Sequence, residues 1–310
     1  MKFLNSSFVI PLLLTSNLYA QEVSQSSADS VWKAVSKNVY STLPSDKVTF
    51  YDLFDGLTSL IERSALRTLN TKKDILPEFK KLAHPNGVCL KGEWSITQSN
   101  PYSGLFKKNS KAIIIARAST ALSETTSDKL RGFGFAGKLF PTMNPNLKVE
   151  TANFFLIDDL GGTNAKHYTD VEMTNEPKVT TTAAVLANLQ YALTLATTFQ
   201  SVDRNPTKRQ VYEISEAMSD GLLPIKTPKW MMIKTPKNQM KVDESDFRDE
   251  LLEMVNQGQL TFNIYVADEE NAEGKNWKKI GNITISEAVA SRACDHQLHF
   301  HHPKWKPEIE

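Results

Sequence analysis

Between residues 87 and 160 the sequence holds four strand-like segments, "GVCLKGEWSIT", "KAIIIARAST", "RGFGFAGKLF" and "ETANFFLIDDL". Turn chemistry separates them, as "QSNPYSG", "LSETTSD" and "PTMNPN". A parallel crossover needs a dozen or more residues, so these short separators favour antiparallel neighbours. Gly132, Gly134 and Gly137 inside the third segment suggest tight bends or a ligand close to the backbone. A chain that carries this stretch is committed to a sheet.

The flanks add helices and further strands. In "TFYDLFDGLTSLIERSALRTL" the apolar positions from Phe50 to Leu66 recur at helical spacing. "TTAAVLANLQYALTLATTF" is apolar over most of its circumference, and "SDFRDELLEMVNQ" reads as an amphipathic helix with Ser245 as N-cap. "IKTPK" occurs at 225–229 and again at 233–237. That period is too short for a solenoid, so "WMM" between the copies reads as a strand between proline turns. "QLTFNIYVA", "KKIGNITIS" and the closing "HQLHFHH" are the last strand candidates. The class is α+β, with a sheet large enough to curl or close. Residues 21–80 form a helical arm in this reading, and 81–310 a single domain.

The first twenty residues, "MKFLNSSFVIPLLLTSNLYA", have the layout of a secretory signal peptide. Their apolar run is too short to span a bilayer. The expectation is an exported protein, periplasmic or secreted, that starts near Gln21 and has no membrane span after cleavage. Lysine plus arginine is 36 and aspartate plus glutamate 35, so neither nucleic acid nor an acidic surface is implied as partner. Two cysteines, Cys89 and Cys294, cannot make a disulfide framework. They are expected as two buried thiols, with one bridge as the alternative an oxidising compartment permits.

Three clusters bear on chemistry. "LAHPNGVCLKGEW" carries His84, Gly87, Gly92 and Trp94; "ARAST" puts Arg117 and Ser119 on one strand face; "ETANFFLID" places Phe154 and Phe155 in a strand ending at Asp158. Singly each has a plain reading: a turn histidine, an arginine paired with a carboxylate, a core phenylalanine.

In this order they resemble the catalase superfamily. His84 to Trp94 meets H-x-x-G-x-x-x-x-G-x-aromatic, and Arg117, Ser119 and Thr120 meet R-x-S-T. "RGFGFAGKLF" follows the R-G-F and K-[LF]-F pattern, and Thr151 to Asp158 follows T-[PA]-x-F-F-x-x-D. The late segments "RDELLEMVNQGQLTFNIYVA" and "NWKKIGNITIS" are similar to those of short catalase-related proteins. The resemblance implies an antiparallel β-barrel with helical additions and a haem beside it. It implies His84 as the acid–base group for hydrogen peroxide or organic peroxides, oriented by Ser119. Arg117 would meet a haem propionate, and Phe154 or Phe155 would keep the pocket dry.

The sequence departs from the family twice. Val149 and Glu150 stand where the family has an asparagine, and Asn153 comes three residues too late. No R-x-x-x-Y, the family's iron-ligand motif, occurs in the sequence. Haem, if bound, is therefore expected without a tyrosinate ligand, leaving His299, His301 and His302 as donors and His167 as an outside candidate. On an extended strand His299 and His301 share one face, and His296 and His302 the other. The plain reading, partly exposed imidazoles on a polar barrel strand, is preferred to a metal site, whose third ligand would have to come from elsewhere. The expected function is an exported haem protein of catalase or peroxidase type, with a small organic electron donor as further partner. The alternative is a haem-free binding or structural member of the same fold.

Overall fold

The computed structural model describes residues 25–44, 73–79, 81, 84–120, 125–127, 131–142, 152–158, 165–175, 226–258, 260–271 and 274–300. The expected signal segment, the helices read at 50–66 and 181–199, and His301 and His302 lie outside them.

Eight strands close into an antiparallel barrel. They are β1 (Gly87–Ile96), β2 (Lys111–Thr120), β3 (Phe133–Pro141), β4 (Ala152–Asp158), β5 (Met173–Thr174), β6 (Trp230–Lys234), β7 (Thr261–Ala267) and β10 (Lys278–Val289). Consecutive strands β1 to β7 are neighbours, and β10 joins β7 to β1 to shut the ring. Between β7 and β10 a small side hairpin forms from β8 (Glu270–Asn271) and β9 (Gly274–Lys275). Closure leaves no barrel edge with unpaired backbone.

The period-two pattern decides what faces where. Val88, Leu90, Trp94 and Ile96 of β1 pack inside with Ala112, Ile114, Ala116 and Ala118 of β2. Phe133, Phe135 and Leu139 of β3 and Ala152, Phe154 and Leu156 of β4 complete that wall. The alternate residues point outward. β3 is buried along its whole length because a second layer covers the outside.

Part of that layer is helical. Helix α1, residues 25–35, sends Ala28, Val31 and Val35 onto Cys89, Ile115, Phe140 and Val289. Helix α2 (Phe247–Asn256) contributes Phe247, Leu251 and Met254 to the main core. Its N-cap is Asp246, which accepts from the Arg248 backbone N–H, so the expected cap shifts by one residue from Ser245. Helix α3 (Arg292–His296) follows β10, with Ser291 as N-cap.

Two expectations are corrected here. The described part of the closing segment, residues 296–300, is not a barrel strand: His296 ends α3, and Leu298 makes an isolated bridge to Ile75. Cys89 and Cys294 are not two thiols but a disulfide, with Cα atoms 5.8 Å apart. Parity turns Cys89 outward on β1, and α3 comes back from β10 onto that same face.

Parity also separates the two phenylalanines. Phe154 is buried inside, stacked with Phe135 and tilted against Trp94. Its ring fills the space that a Cβ on Gly137 would need, 2.2 Å away. Phe155 points outward and is partly exposed. Phe154→Ala is therefore expected to cost about 3–5 kcal/mol of stability, the range for large core deletions, and Phe155→Ala much less. Urea denaturation of the two variants checks this, and equal losses would contradict the assignment of faces.

Candidate functional site

The outer face of β1 to β4 is a grid of aligned rows. One row runs Gly87, Ser119, Gly134, Ile157, and the next runs Cys89, Arg117, Ala136, Phe155. Lys91, Ile115, Lys138 and Asn153 form the third. The first two rows include two glycines and an alanine, Gly87, Gly134 and Ala136. The space that Gly134 leaves is taken by His84.

His84 stands just before β1 with φ of +58°, the left-handed region that L-residues seldom adopt. Its Nδ1 lies 3.0 Å from Ser119 Oγ. The ring meets Phe155 edge-on, with centroids 5.3 Å apart. A Cβ on Gly134 would come within 2.6 Å of His84 Cε1, so only glycine lets the imidazole lie this close to β3. No hydrogen bond from a described residue reaches Nε2. One ring nitrogen is thus fixed against Ser119.

Burial, then the nearby Arg117 and Lys81 cations, hold the imidazole down at about 3. His84 is neutral at ordinary pH. An unfolded chain binds this proton near 6.5, so the contribution to stability is present above that pH and is lost as pH falls towards 3. In histidine-labelled NMR spectra the His84 ring should show no titration step between pH 5 and 8. A step near 6.5 would mean that the ring is in free contact with water.

Arg117 is placed differently from the role the resemblance implies. Its Nη1 donates to the His84 carbonyl at 2.8 Å. Its Nη2 donates to the Pro85 carbonyl at 3.1 Å and to Asp295 Oδ1 at 2.6 Å. Both members of the ion pair are buried, with side chains 3% and 2% exposed. The fork that was expected to meet a propionate is closed on the protein itself. Gly87 makes this possible, because a Cβ there would lie 2.7 Å from the Arg117 Cζ.

The third row is closed as well. Lys138 is fully buried and donates to Asp74 Oδ1 and Asn153 Oδ1, each at 2.7 Å. Burial pushes this ammonium down, against the pull of Asp74. Asn153, the nearest asparagine to the family's position, is thereby engaged away from His84. His299 is buried next to Asp74, whose carbonyl accepts from the His299 backbone N–H at 2.8 Å.

His167 lies elsewhere, with Nδ1 3.8 Å from the buried Glu250. His296 Nδ1 is 3.0 Å from the Phe79 carbonyl. The structure thus gathers His84, Ser119, Arg117 and Phe155 and sets Phe154 inside the barrel. No described contact joins His299 or His167 to His84. Among the described residues no group of three or more His, Cys, Asp or Glu is placed to hold a metal ion.

Sequence reasoning did not find Asp295 or Tyr40, whose hydroxyl donates to Asp295 Oδ2 at 3.1 Å. Outward parity of Arg117 was the available signal that a buried carboxylate must meet it.

No family model matches the sequence, and no curated protein matches it. Solved structures that match include a fungal catalase, at 11% identity and a TM-score of 0.37, over 73% of this chain and 53% of that one. A bacterial catalase matches at 11% identity and 0.34, over 76% of this chain and 52% of the other. The chain spans about half the length of each.

Proposed function

We propose that this chain is an exported protein that reacts with hydrogen peroxide or an organic peroxide at the His84 face, with haem as cofactor. The observation that carries the reading is the neutral imidazole of His84, held at Nδ1 by Ser119 and packed close over Gly134. Phe155 and Ile157 nearby are partly exposed and would offer apolar flanks to a flat group such as haem. When bound, haem would supply the iron that takes oxygen from the peroxide.

The protein's own part is proton handling. With Nδ1–H donating to Ser119, Nε2 of His84 is a bare acceptor that takes the peroxide proton and returns it to the departing oxygen. Phe155 keeps water from the imidazole. Without a described anionic ligand for iron, an imidazole such as His299 or His301 is the proposed donor, and turnover with a small organic electron donor is favoured over disproportionation. Alanine variants at His299, His301, His302 and His167 test the ligand by haem retention. An unchanged ferric spectrum in all four would exclude imidazole ligation at these positions.

Export is supported by the "MKFLNSSFVIPLLLTSNLYA" segment and by the Cys89–Cys294 disulfide, which persists in oxidising compartments. No described helix is long and apolar enough to cross a membrane. Intact-mass analysis of exported protein should find a start near Gln21, and Met1 still attached would count against it.

One observation favours the second reading, a haem-free binding protein of the same fold. Arg117 is closed on Asp295 and two carbonyls, so it offers no fork to a haem carboxylate. Haem reconstitution separates the two readings.

A further inference from the structure

We infer that Arg117 is a positioning residue for His84, locked by a relay through the buried Asp295 and the half-buried Tyr40 and fastened to the barrel by the Cys89–Cys294 disulfide. This inference rests on the reading of His84 as the working group of the site.

Four observations converge on it. Both terminal nitrogens of Arg117 hold carbonyls of the His84–Pro85 segment, which is where the backbone turns left-handed. A histidine in that conformation needs outside contacts to hold it there. Asp295 fixes the guanidinium from the other side, and the Tyr40 hydroxyl fixes Asp295. Tyr40 is itself tied, since its backbone N–H donates to the Ala290 carbonyl.

Asp295 has its place because its neighbour Cys294 is bonded to Cys89, and Cys89 stands directly opposite Arg117 in the β1–β2 register. Lys81 adds a further tie, with Nζ 3.5 Å from the Cys294 carbonyl. Gly87 completes the fit by clearing the volume in which the guanidinium lies. Segments remote in sequence, around residues 40, 84, 117 and 295, thus converge on one backbone turn. A carbonyl clamp needs a planar fork with several donors, which lysine cannot imitate even though it keeps the charge.

The test uses the full chain, labelled at histidine nitrogens, without added haem. Arg117→Lys retains the cation and loses the fork. It is expected to shift or split the His84 ring signals and to bring a titration step into the pH 5–8 window. Tyr40→Phe, which removes one hydroxyl, should move the same signals in the same direction by less. Circular dichroism of Tyr40→Phe should match the parent.

If Arg117→Lys folds and leaves the His84 tautomer and titration as in the parent, the inference is overturned. Should Arg117→Lys fail to fold, Tyr40→Phe decides, and unchanged His84 signals in that variant overturn the inference equally. The reading of His84 itself is judged separately. Equal peroxide rates for haem-reconstituted parent and His84→Asn would remove that reading while leaving the NMR result to stand.

Discussion

His84→Asn should slow the reaction of haem-loaded protein with hydrogen peroxide by about 10²–10⁴-fold, the usual contribution of a positioned acid–base group. Asparagine is chosen because it tolerates the left-handed backbone at this position, where alanine would be strained. The amide cannot take and return a proton at ordinary pH, so any loss reports the imidazole chemistry and not the turn.

Haem uptake should be nearly unchanged, since His84 flanks the binding face and is not proposed as an iron ligand. Stopped-flow mixing with peroxide over pH 5–8 measures the effect. The parent rate should show no inflection from His84 in this window, because burial and the Arg117 and Lys81 cations hold its imidazole at about 3. A variant as fast as the parent would make His84 a turn residue.

Removing the disulfide has the second large effect. The bridge joins residues 205 apart in sequence, so in the unfolded chain it closes a very long loop. Loss of a native bridge typically costs about 2–5 kcal/mol. Cys89→Ala with Cys294→Ala should lower stability by that amount in guanidinium denaturation. Both sulfurs sit in the layer between α1, α3 and the outer barrel face, with Ile115, Phe140 and Leu298 around them. The double variant should therefore also loosen α3, and with it the Asp295 contact to Arg117. In NMR spectra the His84 signals should broaden together with those of α3. A variant that loses stability but keeps sharp parental His84 signals would show that the bridge serves the fold alone.

Much of the barrel is legible in the sequence, and the reason is local. The strands from Gly87 to Asp158 alternate inward apolar residues with outward ones, and turn residues separate them. Period-two alternation needs no knowledge of the partner strand. It also puts Arg117 and Ser119 on one face, which is how they lie.

What the sequence does not carry is long-range pairing. Arg117 and Asp295 are 178 positions apart, and Cys89 and Cys294 are 205 apart. No local pattern links them, so an arginine suited to a propionate reads the same as one closed on a buried aspartate. The choice between Phe154 and Phe155 also needs the register, because an adjacent pair always offers one residue to each face. The closing histidines misled for a related reason. A run that alternates like a strand becomes the end of α3 and an isolated bridge once Ser291 caps the helix and Cys294 is fastened down.

The central claim is that the His84 face takes haem and uses it on peroxide. Its most direct test is a haem titration of the purified full chain, followed by ultraviolet–visible spectroscopy and then by addition of peroxide. The account predicts a Soret band that saturates at one haem per chain and changes rapidly with peroxide in the parent, slowly in His84→Asn. A chain that develops no Soret band after reconstitution would contradict the account and leave the haem-free reading in its place.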